Sequence, residues 1–251
     1  MEEKMMLHTN LTRSEVGRYA FLPGSPQRVE RIARYLDNPK FVKVNREHET
    51  WEGYLEGEKV LVTSTGMGGP STAIALEELV ELGADTFIRV GSCATVSENC
   101  NRGDIVIPSS CVRMEGTALH YGPLEYPAVP DLEVFDEIRK AAGKYDYNSV
   151  AGTVISRDGF YSQYDEFDKP SAYYIKPKWE AYKRLGAIAT EMEAATLFVA
   201  ASSLNVRSGA IMVCATDFKK VNKTYPMDYE TRAIEIAVDA MRQLILKDKN
   251  K

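Results

Sequence analysis

The sequence has few of the residues that build metal centres and covalent staples. It holds three histidines and four cysteines, and none of Cys93, Cys100, Cys111 and Cys214 forms a Cys-x-x-Cys pair. Such spacing points to reduced, mostly buried thiols of a cytoplasmic protein rather than to a disulfide framework or a zinc site. No apolar run approaches the about 18–20 residues that a membrane span requires. The start, Met1-Glu-Glu-Lys-Met-Met-Leu-His8, has no apolar stretch of the signal-peptide kind. Positive charge is also short: the net charge is -5, so the broad basic field that binds nucleic acid is missing. An acidic chain can still bind an anion if a few arginines are focused on one place. Internal repeats, low-complexity tracts and Pro/Gly/Ser linkers do not occur in the sequence either.

What is there suffices for a substantial core, since 44% of the 251 residues are hydrophobic. Short β-branched runs alternate with longer helical patterns. Residues 59–65 read as a strand that enters Gly66-Met-Gly-Gly-Pro70. A helix follows from Ser71, with Ala75, Leu76, Leu79 and Val80 on its apolar face and Gly83 as its stop. Residues 86–90 read as the next strand, ended by Gly91. Further strands are expected at 104–107, 150–155 and 209–214. A buried helix is expected at 194–204 and an amphipathic one at 232–246. This alternation predicts an α/β fold: one domain, residues 1–251, whose central mixed, largely parallel sheet is flanked by helices. Ligands of such sheets sit beyond the carboxyl ends of strands, and the unusual residues cluster there.

Six segments carry chemistry. Phe21-Leu-Pro-Gly-Ser-Pro-Gln-Arg28 places a glycine turn before a helical run to Leu36, offering backbone N–H groups to an anion; an ordinary surface turn is the plain alternative. Arg28 in the first turn opposes the helix dipole unless an anion joins it. Arg89, in Phe87-Ile-Arg-Val-Gly-Ser92, is costly at the end of an apolar strand unless an anion or a protein carboxylate meets it. Gly66-Met-Gly-Gly-Pro-Ser-Thr72 fits neither G-x-G-x-x-G nor G-K-[ST], which excludes the usual dinucleotide and ATP loops; it is either a tight turn or an active-site wall. Glu191 and Glu193, in Ala189-Thr-Glu-Met-Glu-Ala-Ala-Thr196, could accept hydrogen bonds from a vicinal diol or simply start a helix. In Arg157-Asp-Gly-Phe-Tyr-Ser-Gln-Tyr164, Phe160 could stack on a flat base and Gln163 could pair with an amide edge, or the loop could pack on the domain. Asp217 ends a strand, where it serves as a general acid or as a cap.

In this order the segments resemble the nucleoside phosphorylase family of the uridine phosphorylase and hexameric purine nucleoside phosphorylase type. Leu22-Pro-Gly-Ser-Pro-Gln-Arg28, Arg46-Glu-His-Glu-Thr-Trp51, Ser64-Thr-Gly-Met-Gly-Gly-Pro-Ser71, Arg89-Val-Gly-Ser92 and Glu191-Met-Glu-Ala-Ala195 carry the likeness, from about His8 to the last helix. The branch is most similar to bacterial uridine phosphorylases, which implies phosphate-dependent cleavage of uridine to uracil and ribose 1-phosphate. The resemblance implies a phosphate site of Gly24, Arg28, Arg89 and Ser92, with Arg46 lent by a neighbouring subunit. It implies ribose contacts from Met67, Glu191, Met192 and Glu193, with His8 also lent. Phe160, Gln163 and the turn at Cys93 and Ala94 would face the base.

The family has no organic cofactor, phosphate being a co-substrate. In some members a monovalent cation such as K+ lies at the positions of Glu47, Met67 and Ser71. Members assemble as hexamers, trimers of dimers with shared sites. Two departures bear on the base. Tyr164 and Asp165 stand where enteric uridine phosphorylases have an arginine two residues after the glutamine, and Asp217 is similar to the purine branch, where it protonates the base. A purine nucleoside phosphorylase, a hydrolytic nucleosidase and a non-catalytic nucleoside sensor are the alternatives.

Overall fold

The computed structural model describes residues 3–161, 169–217 and 227–251, apart from the side chains of Asp217, Met227 and Asp228. Its centre is one nine-stranded sheet among the described residues. β1 (Tyr19–Pro23) is buried along its whole length, as expected of a short apolar run covered on both faces. It lies parallel between β4 (Glu58–Thr63) and β5 (Thr86–Thr95). On its far side β4 joins an antiparallel meander with β3 (His48–Leu55) and β2 (Asp37–Asn45), which forms the outer border.

β5 is the hub. It pairs parallel with β9 (Arg207–Asp217) from Thr86 to Thr95 and, through Ala94 and Thr95, antiparallel with β8 (Ala189–Glu191). β8 continues through β7 (Ser149–Arg157) to β6 (Ile105–Met114), and β6 returns to β9. Five strands therefore close into a ring beside an open wing. Strict alternation splits the core. Tyr19, Phe21, Ile88, Val90, Ile211 and Val213 pack against α1 (Val29–Ala33), α3 (Leu132–Ala142) and α6 (Met227–Lys249). Ala20, Leu22, Phe87, Cys93, Ala210 and Met212 pack against α2 (Gly69–Glu81) and α5 (Ala194–Ser203). A smaller cluster under α4 (Ala172–Arg184) is built on Trp179.

The α/β class and the mixed sheet agree with expectation, and Gly83 does end α2, with φ of 98°. Four local expectations need correction. β5 does not stop at Gly91, because β9 pairs with it through Ser92 and Cys93 and β8 takes up Ala94. The glycine is there for close approach: a Cβ on Gly91 would lie 3.2 Å from Arg89 Nη2 and 3.3 Å from Met212 Cγ. Arg89 is consequently in mid-strand, not at a strand end. α2 begins at Gly69, two residues before Ser71, with Pro70 in its first turn, where a missing N–H costs nothing. The helical run after Arg28 is only α1, and it ends at Ala33, short of Leu36. All four cysteines are free and buried, as expected. No helix among the described residues is long and apolar enough to cross a membrane.

Candidate active site

The face of β5 that carries Phe87 and Gly91 also carries Arg89, which alternation turns toward the starts of α2 and α5. Arg89 is 4% exposed. Its Nη2 donates to Glu193, and its Nε lies 3.5 Å from Glu191 Oε2. The carboxylate alternative raised for Arg89 is therefore met in part. Its Nη1, also buried, makes no hydrogen bond among the described residues. A Cβ added to Gly24 would lie 3.8 Å from that nitrogen, so Nη1 stands beside the Pro23–Gly24 turn.

Arg28, at the end of a 3-10 turn (Pro26–Arg28), is 7% exposed. It donates from Nη1 to the Val90 carbonyl at 3.1 Å and from Nη2 to Glu230 at 2.5 Å. Arg31 meets the other oxygen of Glu230. Both phosphate-type arginines thus have internal partners, yet both line one shared cavity of about 690 Å³. Gly24 and Ser92 line it with them. The starts of α2 and α5 also border it, through Met67 and Ser71 at one and Met192 and Glu193 at the other, and the first amides of α5 are taken by Glu191 and Ser156.

The two glutamates have different jobs in the cavity. Glu191 ends β8 and closes the start of α5, accepting N–H donors from Glu193 at 2.8 Å and Ala194 at 2.9 Å, together with the Ser156 hydroxyl. Burial raises its carboxyl above the ordinary value; Arg89 pulls it back and the charge of Glu193 pushes it up again. Glu193 accepts the Gly68 N–H at 2.6 Å through Oε1 and the Arg89 guanidinium through Oε2. Gly68 offers that N–H because its φ of 91° turns the strand–helix loop back on itself.

Met67, Met192, Cys93 and Ala94 complete the wall between the glutamates and the Phe160 ring, which is 38% exposed and also lines the cavity. Glu47 and Ser71 line it beside Met67, and the Ser71 hydroxyl donates to the Met67 carbonyl at 3.1 Å. Among the described residues no three His, Cys, Asp or Glu side chains come together to hold a metal ion.

Two expected contributors lie outside the cavity of their own chain. Arg46 is exposed at the β2–β3 turn with φ of 53° and makes no ion pair among the described residues. The ring of His8 is held by Glu78, Nδ1 lying 2.8 Å from Oε1, while the same carboxylate accepts the N–H groups of His8 and Thr9. Gln163 and the Asp217 side chain fall outside the described residues. The sequence reading missed Thr190 and Arg157, which also line the cavity. For Arg157 the signal was present: like Arg89, it is an arginine in an apolar strand. Thr190 carried none.

The phosphorylase superfamily matches residues 18–247. A uridine phosphorylase of Treponema pallidum is 39% identical over 244 residues, covering 96% of this chain and 95% of its own length. A uridine phosphorylase of Escherichia coli is 35% identical, covering 98% of this chain and all of its own (100%). A guanosine phosphorylase of Halorubrum lacusprofundi is 36% identical, covering 84% of this chain and 82% of its own. With likeness running almost end to end, the chain belongs to the phosphorylase superfamily, the nucleoside phosphorylase family that its motifs resemble.

Proposed function

We infer that the protein is a uridine phosphorylase, which uses inorganic phosphate to convert uridine to uracil and ribose 1-phosphate. The observation that carries the reading is the buried Arg89 Nη1, a charged donor without a hydrogen bond beside the Gly24 turn in a cavity that also holds Arg28 and Glu193. A desolvated donor of this kind needs an acceptor, and an oxyanion supplies it. Phosphate would lie on Arg28, Arg89, Ser92 and the amides after Pro23. The ribose hydroxyls would take Glu193, whose carboxylate is available once phosphate claims Arg89, with Met67, Met192 and the α5 entry beside them. Glu191 then acts mainly by fixing that entry.

One phosphate oxygen attacks the anomeric carbon as the base departs with the glycosidic electron pair, through an oxocarbenium-like state. In-line placement of the nucleophile supplies several kcal/mol of the acceleration, and donors near Phe160 and Gln163 stabilise the leaving anion. The assembly we propose is a hexamer, a trimer of dimers. It explains why Arg46 and His8 lie outside their own cavity, since each would serve a neighbour's. A monovalent cation would find hard oxygens at Glu47, Ser71 and the Met67 carbonyl. The buried free thiols suit the cytoplasm.

The test is product analysis with uridine, thymidine, inosine and adenosine, each with and without phosphate. Uridine is expected to give ribose 1-phosphate only when phosphate is present. Arg89→Ala is expected to lose at least about 100-fold in activity, the usual effect of removing one preorganised donor. Phosphate-independent cleavage would make the protein a nucleosidase, and tight nucleoside binding without turnover would make it a sensor. A purine reading has one specific support, the guanosine phosphorylase relative together with Asp217. Inosine turnover that Asp217→Asn abolishes would establish it.

A further inference from the structure

Arg157 ends β7 as one of the largest fully buried side chains of the molecule, 2% exposed, and it lines the cavity. Its guanidinium ties three pieces of chain together. Nε donates to Thr190 Oγ1 of β8 at 3.0 Å, and Nη1 donates to the carbonyls of Gly159 at 2.7 Å and Phe160 at 2.6 Å. The Thr190 hydroxyl in turn donates to the Ile155 carbonyl at 2.9 Å, which fixes it as an acceptor for Arg157. The guanidinium carbon also lies over the Phe160 ring, 5.2 Å from its centroid. Phe160 itself is 38% exposed, and its ring also meets the Tyr161 ring edge-on with centroids 5.0 Å apart. The Arg157 cation holds both its main chain and one side of its ring. Only arginine offers directed donors from one rigid plane together with an aromatic contact.

We propose that Arg157 is the positioning residue of the nucleobase site: it holds the Phe160 ring as a preformed stacking face and thereby sets affinity for the base without taking part in phosphate binding. The proposal rests on the uridine phosphorylase reading, in which Phe160 faces the base. It separates the two halves of the cavity, because Arg89 and Arg28 hold the anion while Arg157 works through an aromatic ring in the segment that follows β7.

The test uses the full-length protein and the variants Arg157→Met, Arg157→Lys, Phe160→Leu and the Arg157→Met/Phe160→Leu double variant. The readouts are KM for uridine, KM for phosphate and calorimetric Kd for uracil. Arg157→Met and Phe160→Leu are each expected to raise the uridine KM and uracil Kd by about tenfold, within the range for losing one base–aromatic stack. The phosphate KM should move by less than about twofold. The double variant should be no worse than either single one, since residues acting through one contact are not additive. Arg157→Lys, which keeps the charge but not the fork, should fall with Arg157→Met, and it carries the test if the methionine variant does not fold.

Three results would overturn the proposal: unchanged uracil affinity in a folded Arg157 variant, multiplicative losses in the double variant, or a phosphate KM rising in step with that of uridine. If the wild type cleaves inosine instead of uridine, the functional reading fails separately, and the same variants are compared with hypoxanthine as the bound base.

Discussion

Asp248 shows how far a single residue can depart from its ordinary behaviour. Burial pushes its carboxyl up, but donors from Arg207, Lys251 and Tyr19 outweigh this and bring it down to about 2. The Tyr19 hydroxyl, buried and bonded to Asp248, is pushed the other way, to about 12. A carboxyl lowered on folding from about 3.9 stabilises the protein above that pH, and the contribution fades as pH falls from about 4 toward 2. Asp248→Asn is therefore expected to cost about 1–2 kcal/mol near neutrality, a value kept modest because Arg207 is partly exposed. Thermal unfolding at pH 7 and at pH 3 checks this: the gap between variant and wild type should narrow at the lower pH. At this same scale the candidate site was largely legible. Arg89 could be singled out because a guanidinium in an apolar strand demands a partner, and Glu191 and Glu193 because carboxylates at a helix entry can accept from a vicinal diol or start the helix. The partition between them was not legible. Nothing in the spacing of these residues tells that Glu191 would satisfy the α5 amides while Glu193 turned to Gly68 and Arg89.

The elements were read where their pattern is local. β4, β6, β7 and β9 contain the expected apolar runs, α5 is buried as expected, and α6 carries the expected stripe. Two of the missed elements owe their form to neighbours. β8 is three residues long and exists because β5 and β7 pair with it on either side. β2 is exposed along its first half, contains Pro39 and has two register shifts, so it shows no alternation. The loop between β4 and α2 is where element geometry meets the cavity. Gly68, at φ of 91° and ψ of 167°, occupies a region that is essentially closed to side chains. Gly68→Ala should thus cost about 1–3 kcal/mol and turn the N–H away from Glu193. We expect a lower melting temperature together with a raised nucleoside KM; a variant with wild-type values for both would refute the role given to this turn.

For the whole molecule, the placement of Arg46 and His8 away from their own cavity makes a sharp prediction about assembly. Arg46→Ala and Arg89→Ala chains should each be inactive alone. When they are co-expressed and randomly mixed, a site with intact Arg89 on one subunit and intact Arg46 on its neighbour should form about one quarter of the time if sites are shared across a symmetric interface. Recovered phosphorolysis near that fraction is expected. Additive inactivity would mean that each chain completes its own site.

The ring of five strands has one more consequence. Because β9 returns to β5, the sheet closes on that side, and among the described residues β2 is its outer border. Lys40 and Lys43, Pro39 and the two register shifts all fall on this strand. A border that is charged, interrupted and kinked makes a poor template for a foreign strand, so two copies of the chain gain little by pairing there edge to edge.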